Sequence, residues 1–248
     1  MKTSLRNIYT IAKREFLGYF SSPVAYVLIV IFLLLAGFFT FMVSQFFDRG
    51  EASLISFFTW HPWLYLFLVP AIGMGIWSEE RRSGTIELLL TMPITPWQAI
   101  VGKFLASWLM VGISLLLTFP LVITVNYLGH PDNGIIFAAY LGSFLMAGAY
   151  LAITSMTSAI TRNQVVSFIV AVVFCLFLIL AGYPPVTNML VHWASPALVD
   201  AVASFSVMTH FEGLQKGIID SRDVFFYLSV IGFSLFTTGA IIRTHRAG

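Results

Sequence analysis

Long uninterrupted apolar segments, separated by polar stretches, dominate the hydrophobic pattern of this 248-residue chain. The segments do not alternate with the period of two that an exposed strand requires, and each is close to the length of about 20 residues with which a helix crosses a bilayer. Inside lipid a helix satisfies all of its own backbone hydrogen bonds. The sequence therefore predicts an all-α, polytopic membrane protein with six transmembrane helices at residues 24–45, 62–78, 104–128, 135–160, 165–182 and 224–242.

Residues 1–22 have a different, amphipathic pattern. Apolar side chains recur at helical spacing on one side, namely Leu5, Ile8, Tyr9, Ala12, Phe16 and Phe20, and polar ones lie largely on the other, namely Arg6, Thr10, Lys13 and Arg14. This pattern is typical of a helix that lies in the membrane interface. A solvated amphipathic tail is the alternative. The interfacial helix is favoured because the first span follows directly after Pro23.

Two of the connections are long, and we place the whole chain, 1–248, in a single transmembrane domain. The link at 79–103, called the elbow below, is polar and patterned. The outer loop at 183–223 contains apolar pieces at 186–193 and 197–209 that are too short to span the membrane. We expect these pieces to form outer half-helices between spans five and six. An ordinary outer loop is the alternative, and the apolar character of 189–193 argues against it.

The distribution of positive charge sets the orientation. Ten Lys and Arg residues lie on the side of the elbow and both termini, against three on the other side, Arg49, Lys216 and Arg222. Because positive residues concentrate in cytoplasmic loops, both termini are expected in the cytoplasm. Only 10% of residues are charged against 58% that are hydrophobic, and the net charge of +2 gives no support for nucleic acid as a partner.

The chain offers few residues for chemistry of its own. All acidic and basic residues fall outside the predicted spans, which argues against a carrier driven by an ion gradient. The five histidines, His61, His130, His192, His210 and His245, are scattered, mostly near the interfaces, without the spacing of metal ligands. The pair Gly102–Lys103 lacks the following Ser or Thr of a phosphate-binding loop, and Trp97 occupies the place of the leading glycine.

We therefore predict no catalytic residue, no cofactor and no metal, and an enzyme is not expected. The lone Cys175, in an apolar segment, is expected to behave as a small hydrophobic residue. Without an energy source of its own, the bundle is either passive or is driven by a protein that docks on it.

Span four is rich in small residues, which let helices approach closely in a membrane. We expect them to pack inside the bundle, in preference to forming a dimer interface. They are Gly142, Ser143, Ala147, Gly148, Ala149, Ala152, Ser155, Ser158 and Ala159.

The elbow contains signals for two short helices on the cytoplasmic surface. Gly84 breaks the continuation of span two, Thr85 can cap a short helix that contains Ile86 and Leu88 to Leu90, and Pro93 ends it. Thr95 can cap the second helix, with Pro96 at its first position. Such a rigid, charged element is suited to binding a partner protein. An interfacial loop with snorkelling side chains is the alternative.

The elbow also resembles a known motif. Its run Glu79-Glu80, Gly84-Thr85, Glu87-Leu88-Leu89, Pro93 and Gly102-Lys103 is similar to that of type-2 ABC transporter permeases. The amphipathic start, the Ser21-Ser22-Pro23 sequence and the run from His210 to Val224 look most like the permease subunit associated with bacterial gliding motility and its homologues. Gliding itself is not implied.

The resemblance implies that the elbow contacts an ATPase subunit. The implied ATPase-coupling residues are Glu79, Glu80, Arg81, Gly84, Thr85, Glu87, Pro93, Gly102 and Lys103. Glu80 and Glu87 are expected to pair with arginines of the ATPase, or with Arg81 and Arg82.

The implied protein is the permease subunit of an ABC exporter in the bacterial inner membrane. It works with a separate ABC ATPase, with a second permease copy in a homo- or heterodimer, and, in some relatives, with a periplasmic companion. A module that transmits force or assembles an outer protein, and a secondary carrier, are the alternatives. The many Phe, Leu and Ile residues mildly favour an amphipathic or lipid-like substrate, although a lipid-facing surface explains them better, and the substrate stays unknown.

Overall fold

The computed structural model describes residues 2–48, 50, 52–86, 94–192 and 194–244. Within these ranges the chain forms helices and no strand, which confirms the all-α prediction. The helices, numbered in chain order, are α1 Lys2–Ser21, α2 Pro23–Phe38, α3 Ile55–Phe58, α4 His61–Gly73, α5 Gly75–Ser83, α6 Pro96–Leu116, α7 Phe119–Leu128, α8 Asn133–Ile160, α9 Gln164–Leu180, α10 Pro184–Val191, α11 Pro196–Ala203, α12 Val207–Gln215 and α13 Ser221–Thr244.

Four segments of the described chain are long and apolar enough to cross a membrane. They are Pro23–Val43, in which α2 continues as a π-helical turn, Pro96–Leu128, Asn133–Ile160 and Ser221–Thr244. A fifth is the pair α9 and α10, which is bent by 64° at its break. The second predicted span, 62–78, is divided at Met74 into α4 and α5, and α4 alone has 13 residues. The protein is thus a multi-pass membrane protein.

Helix α8 is the centre of the bundle, because it packs against α4, α5, α6, α9, α12 and α13. Its small residues face these neighbours, as the sequence pattern predicts. A Cβ atom at Gly148 would lie 2.8 Å from the indole of Trp108, and one at Gly142 would lie 2.8 Å from Leu214. The backbone of α8 therefore approaches both neighbours as closely as only glycine allows.

Helix α1 is packed along the first half of α6, so it is not a solvated tail. Gln98 donates a hydrogen bond to Ser4, Asn7 donates to Gln98, and Tyr19 and Ser107 share a hydrogen bond of 2.7 Å. Leu5 and Tyr9, on the predicted apolar face, remain exposed.

The elbow differs from the prediction at its second helix. Thr95 caps a helix that begins at Pro96, as expected, and Gln98 completes a capping box. That helix, however, is not a separate short one, since α6 continues without a break to Leu116. The helix that contains span three therefore begins eight residues before residue 104, and Lys103 is inside α6. Residues 87–93, which include Glu87 and Pro93, lie outside the described residues.

The outer loop is helical but is divided more finely than predicted. The piece 186–193 corresponds to α10, whereas 197–209 is interrupted at Ser204 and divides between α11 and α12. Of the outer helices that the structure describes, α12 makes the main contact with the centre of the bundle, against α8. His61, at the start of α4, is completely buried because Phe57 and Phe58 of α3 fold over it, together with Phe32 and Tyr65.

Candidate functional site

Three charged side chains from three helices meet at the elbow. The ammonium of Lys103, on α6, lies 2.9 Å from a carboxylate oxygen of Glu80, on α5, and 3.3 Å from one of Glu15, on α1. Only 8% of the Lys103 side chain is exposed. We call Glu15, Glu80 and Lys103 the charge cluster. Within the described residues Glu80 pairs with Lys103 and not with Arg81 or Arg82, and its expected pairing with an ATPase arginine stays a prediction.

Gly102 makes the charge cluster possible by letting α1 approach α6. A Cβ atom at this position would lie 2.8 Å from Cγ2 of Ile11 and 3.2 Å from the carbonyl oxygen of Ile8. A larger residue would therefore push α1 away and separate Glu15 from Lys103. This explains in physical terms why a glycine precedes the lysine at this point.

The ionisation of Glu15 follows from its surroundings. Burial by itself raises the pKa of the Glu15 carboxyl, but the charges of Lys103 and Arg14 outweigh this effect, so the pKa lies below its usual value. Arg14 contributes through a 2.7 Å contact with the second oxygen of the carboxylate. Glu15 is consequently an anion at neutral pH.

The residues next to Glu80 tie α5 to two further helices. Glu79 accepts a hydrogen bond of 3.2 Å from Gln164, at the start of α9. Arg81 donates to the carbonyl oxygen of Ala159, in the last turn of α8, where the carbonyl groups of a helix lack internal partners. Five helices, α1, α5, α6, α8 and α9, are thus joined at the elbow.

Beyond this junction the chain turns outward at a bend. Gly84 has a φ of +74°, in the left-handed region that favours glycine, and Ser83, Gly84 and Thr85 are exposed. The hydroxyls of Ser83 and Thr85 share a hydrogen bond of 2.9 Å. Of the predicted coupling residues, the structure therefore joins Glu79, Glu80, Arg81, Gly102 and Lys103 to neighbouring helices and leaves Gly84 and Thr85 accessible.

Sequence reasoning missed the contact that holds α4 and α5 together. At their break, the hydroxyl of Ser158 accepts hydrogen bonds from the backbone amides of Trp77 and Ser78, at 3.1 and 3.0 Å, and donates one to the carbonyl of Met74. Ser155 accepts a further bond from the Trp77 indole. In the sequence both serines count only as small residues of α8, so no local signal indicated this role.

A cavity of about 530 Å³ lies beside the charge cluster. It is bordered by α1, α2, the α4–α5 break and α6, and Gln164 of α9 also lines it. We call it the elbow cavity.

The far end of the bundle has its own polar contact. His210, on α12, lies 2.7 Å from a carboxylate oxygen of Asp223, on α13, and its other ring nitrogen lies 3.0 Å from the carbonyl oxygen of Ser204. The ring also stacks on Phe226. The run from His210 to Val224, which the sequence analysis identified, thus contains the contact that joins α12 to the last span, α13.

Comparison with known proteins places these elements in a family. A family model described as ABC-2 family transporter protein matches residues 64–230, a region that contains α5, the elbow and α6 but not α1. Two relatives called inner membrane transport permease YhhJ, from Escherichia coli (strain K12) and Shigella flexneri, are each 30% identical over 147 residues. The aligned region covers 57% of this chain and 36% of each relative, so the chain matches little more than a third of their length.

Proposed function

Because this chain belongs to the ABC-2 family of transporter proteins, we propose that it is the membrane-spanning permease subunit of an ABC transporter, and that a separate ATPase subunit docks on its elbow. The observation that carries the proposal is the junction of five helices directly behind the exposed bend at Ser83–Thr85. A partner that pushes on the bend therefore pushes on helices that are already joined to one another.

The junction suits the transmission of a conformational change. ATP binding closes the two ATPase subunits, and the docked elbow moves with them. Since Glu80 and Lys103 hold α5 to α6 and Arg81 holds α5 to α8, the displacement reaches the centre of the bundle as a rigid-body movement. ATP bound and hydrolysed by the partner supplies the energy, and the bundle responds because the partner binds its two states with different affinity.

The same proposal includes the arrangement in the membrane. Helices α4 and α5 together form the second span, α9 forms the fifth, and the total is six. Both termini lie in the cytoplasm, and α1 lies at the inner interface with Leu5 and Tyr9 toward lipid. A second permease copy completes the complex, which works as an exporter. The likeness to the gliding-motility subunit stays a prediction.

A force-transmitting role is the second candidate, and the outer helices favour it. Met189 and Val191 on α10 and Leu198 on α11 are exposed apolar residues on short helices that lie mostly outside the core. A periplasmic companion that covers them would receive movements of the bundle through α12 and the His210–Asp223 contact. In this case the ATPase would act on the companion and no cargo would cross.

The docking proposal is tested by a pair of matched glycine substitutions. Gly84 and Gly50 both have positive φ, +74° and +62°, and a Cβ atom at either would meet no described atom within 4 Å. Alanine at either position therefore introduces similar backbone strain, of about 1–2 kcal/mol. We expect Gly84→Ala, at the elbow, to lower recovery of the ATPase and its hydrolysis of ATP in the purified native complex, whereas Gly50→Ala leaves both unchanged.

Two results would contradict the docking proposal. One is an equal effect of Gly84→Ala and Gly50→Ala on recovery and hydrolysis, which would show that the bend is not in contact with a partner. The other is an affinity-tagged wild-type chain, solubilised from its native membrane, that brings down no ATPase subunit at all.

A further inference from the structure

The ring of His210 lies between two hydrogen-bond acceptors. Its Nδ1 atom is 2.7 Å from a carboxylate oxygen of Asp223, on α13, and its Nε2 atom is 3.0 Å from the backbone carbonyl oxygen of Ser204, at the break between α11 and α12. A carbonyl oxygen can only accept, and so can an ionised carboxylate. An aspartic acid is ordinarily a stronger acid than an imidazolium, so the proton between the two side chains belongs to the ring. Both ring nitrogens therefore donate, as they do only in a positively charged histidine.

Two further features suit a charged ring at this position. The ring stacks on Phe226 with the two centroids 4.0 Å apart, and a cation over an aromatic face is attracted to it. Glycine on α12 gives the carboxylate its room, since a Cβ atom at Gly213 would lie 3.0 Å from the other oxygen of Asp223. The side chains of His210 and Asp223 are 17% and 16% exposed, so the pair is partly shielded and still in contact with solvent.

Asp223 is the charged group that contacts the ring within the described part of the chain. Helices α8 and α9, which also pack against α12, contain no Asp, Glu, Lys, Arg or His. The hydroxyl of Tyr227, on α13, donates to the carbonyl of Val207 and not to the ring. The remaining charged residues near these helices are exposed and form no described contact with His210, namely Asp200, Glu212, Lys216, Asp220 and Arg222.

We infer that the His210–Asp223 pair is a pH-sensitive switch that fastens the break at Ser204 to α13. At low pH the charged ring donates to both acceptors. When the pH rises and the ring loses one proton, the neutral imidazole has a single N–H, so either Ser204 or Asp223 loses its donor. The stabilisation is thus present at low pH and lost as the pH rises, and α12 then loosens from α13. That the pH sensed is the pH of the outer compartment rests on the proposed function, whereas the switch itself does not.

The protonation of the ring is tested by NMR of the full chain in nanodiscs, with isotope-labelled histidine. At about pH 6 we expect one histidine whose two ring N–H protons are both protected from exchange with water, and at about pH 9 one of these two signals is lost. Both signals are expected to be missing from His210→Phe, which keeps a ring on Phe226 but has no donor. A His210 ring with an unprotonated nitrogen at about pH 6 would overturn the inference.

The loosening is measured by amide hydrogen exchange of the same samples, with α8 as the internal reference for the intrinsic effect of pH on exchange. Between about pH 6 and about pH 9, we expect the protection of α12 relative to α8 to fall about fivefold, the effect of losing roughly one hydrogen bond. His210→Phe has the lower protection at both pH values. His130→Phe, at an exposed histidine before α8, is the control and keeps the response of the wild type.

Protection of α12 that does not depend on pH in the wild type would reject the switch. A fall of the same size in His210→Phe would reject it as well, because the pH would then act through another group. Neither result bears on the ATPase-docking proposal, which depends on recovery of the partner. Conversely, a pH response that requires His210, in a chain that brings down no ATPase, would support the switch and reject the docking.

Discussion

Lys103 holds α1 and α5 to α6 at the elbow, a role that its position in the sequence does not suggest. It is nearly buried, and its ammonium is the one positive charge among the residues that line the elbow cavity of the described structure. It offsets two carboxylates that come from different helices, Glu80 and Glu15. Its loss would leave Glu80 partly desolvated without a counter-charge and Glu15 with Arg14 alone.

We predict that Lys103→Met destabilises the chain by about 3 kcal/mol, the lower end of what removal of one partner from a buried ion pair costs. Methionine preserves the length and apolar stem of the side chain, so the change isolates the charge. Lys216→Met is the control, because Lys216 and Glu212 are largely exposed and lie 3.8 Å apart. Unfolding in detergent micelles measures both, and equal stability of the two variants would show that the charge cluster contributes nothing.

The residue types of the charge cluster could be predicted from the sequence, but their partners could not. The motif singled out Glu80, Gly102 and Lys103 as a group, and the structure brings them together. Their pairing depends on Glu15, which lies 88 positions before Lys103 and belongs to no recognised motif. The same limit applies to Ser158, whose partners Trp77 and Ser78 are about 80 residues away, so that only the folded chain shows how the break at Met74 is stabilised.

At the scale of helices, local signals predicted starts better than interruptions. The Thr95–Pro96 cap marks the start of α6 correctly, and the amphipathic pattern of residues 1–22 predicts α1. The prediction missed the breaks at Met74 and Ser204, although Gly73 and Gly75 flank the first and Ser206 caps the helix after the second. Contacts of Met74 with α8 and of Ser204 with His210 stabilise these breaks. The second elbow helix was predicted as a separate short helix because a cap and a proline indicate where a helix begins, but not how far it extends.

The close packing of α1 on α6 leads to a prediction about the glycine that allows it. Gly102→Ala places a methyl group 2.8 Å from Ile11 and 3.2 Å from the backbone of Ile8, so α1 must shift outward. We expect faster amide hydrogen exchange throughout α1 and loss of the Glu15–Lys103 contact, with α8 unaffected.

Gly232→Ala is the control for this prediction, because a Cβ atom at Gly232 meets no described atom within 4 Å. It should leave exchange in α1 unchanged. If Gly102→Ala and Gly232→Ala give the same exchange rates in α1, then α1 does not need the close approach seen at Gly102, and its contribution to the charge cluster is dispensable.

At the scale of the whole molecule, a separate set of polar contacts joins helices at each end of the bundle. The elbow end joins five helices through ion pairs and hydrogen bonds around Lys103 and Arg81. The other end joins α12 and α13 through His210 and Asp223. Helix α8 contacts helices of both groups, so a displacement at the elbow has a continuous packed path to the outer helices.

This path runs from one side of the membrane to the other only if α4 and α5 together form a span. Labelling of single cysteines tests whether they do. The native Cys175 is buried, so the background is low. With a membrane-impermeant maleimide, we expect Asp48→Cys, His130→Cys and Leu198→Cys to react from outside in intact cells, and Lys13→Cys, Ser83→Cys and Arg162→Cys only after permeabilisation.

Asp48 and Ser83 flank α3 to α5. If both react from the same side, α4 and α5 do not cross the membrane, the six-span arrangement fails, and the elbow cannot lie opposite the outer helices.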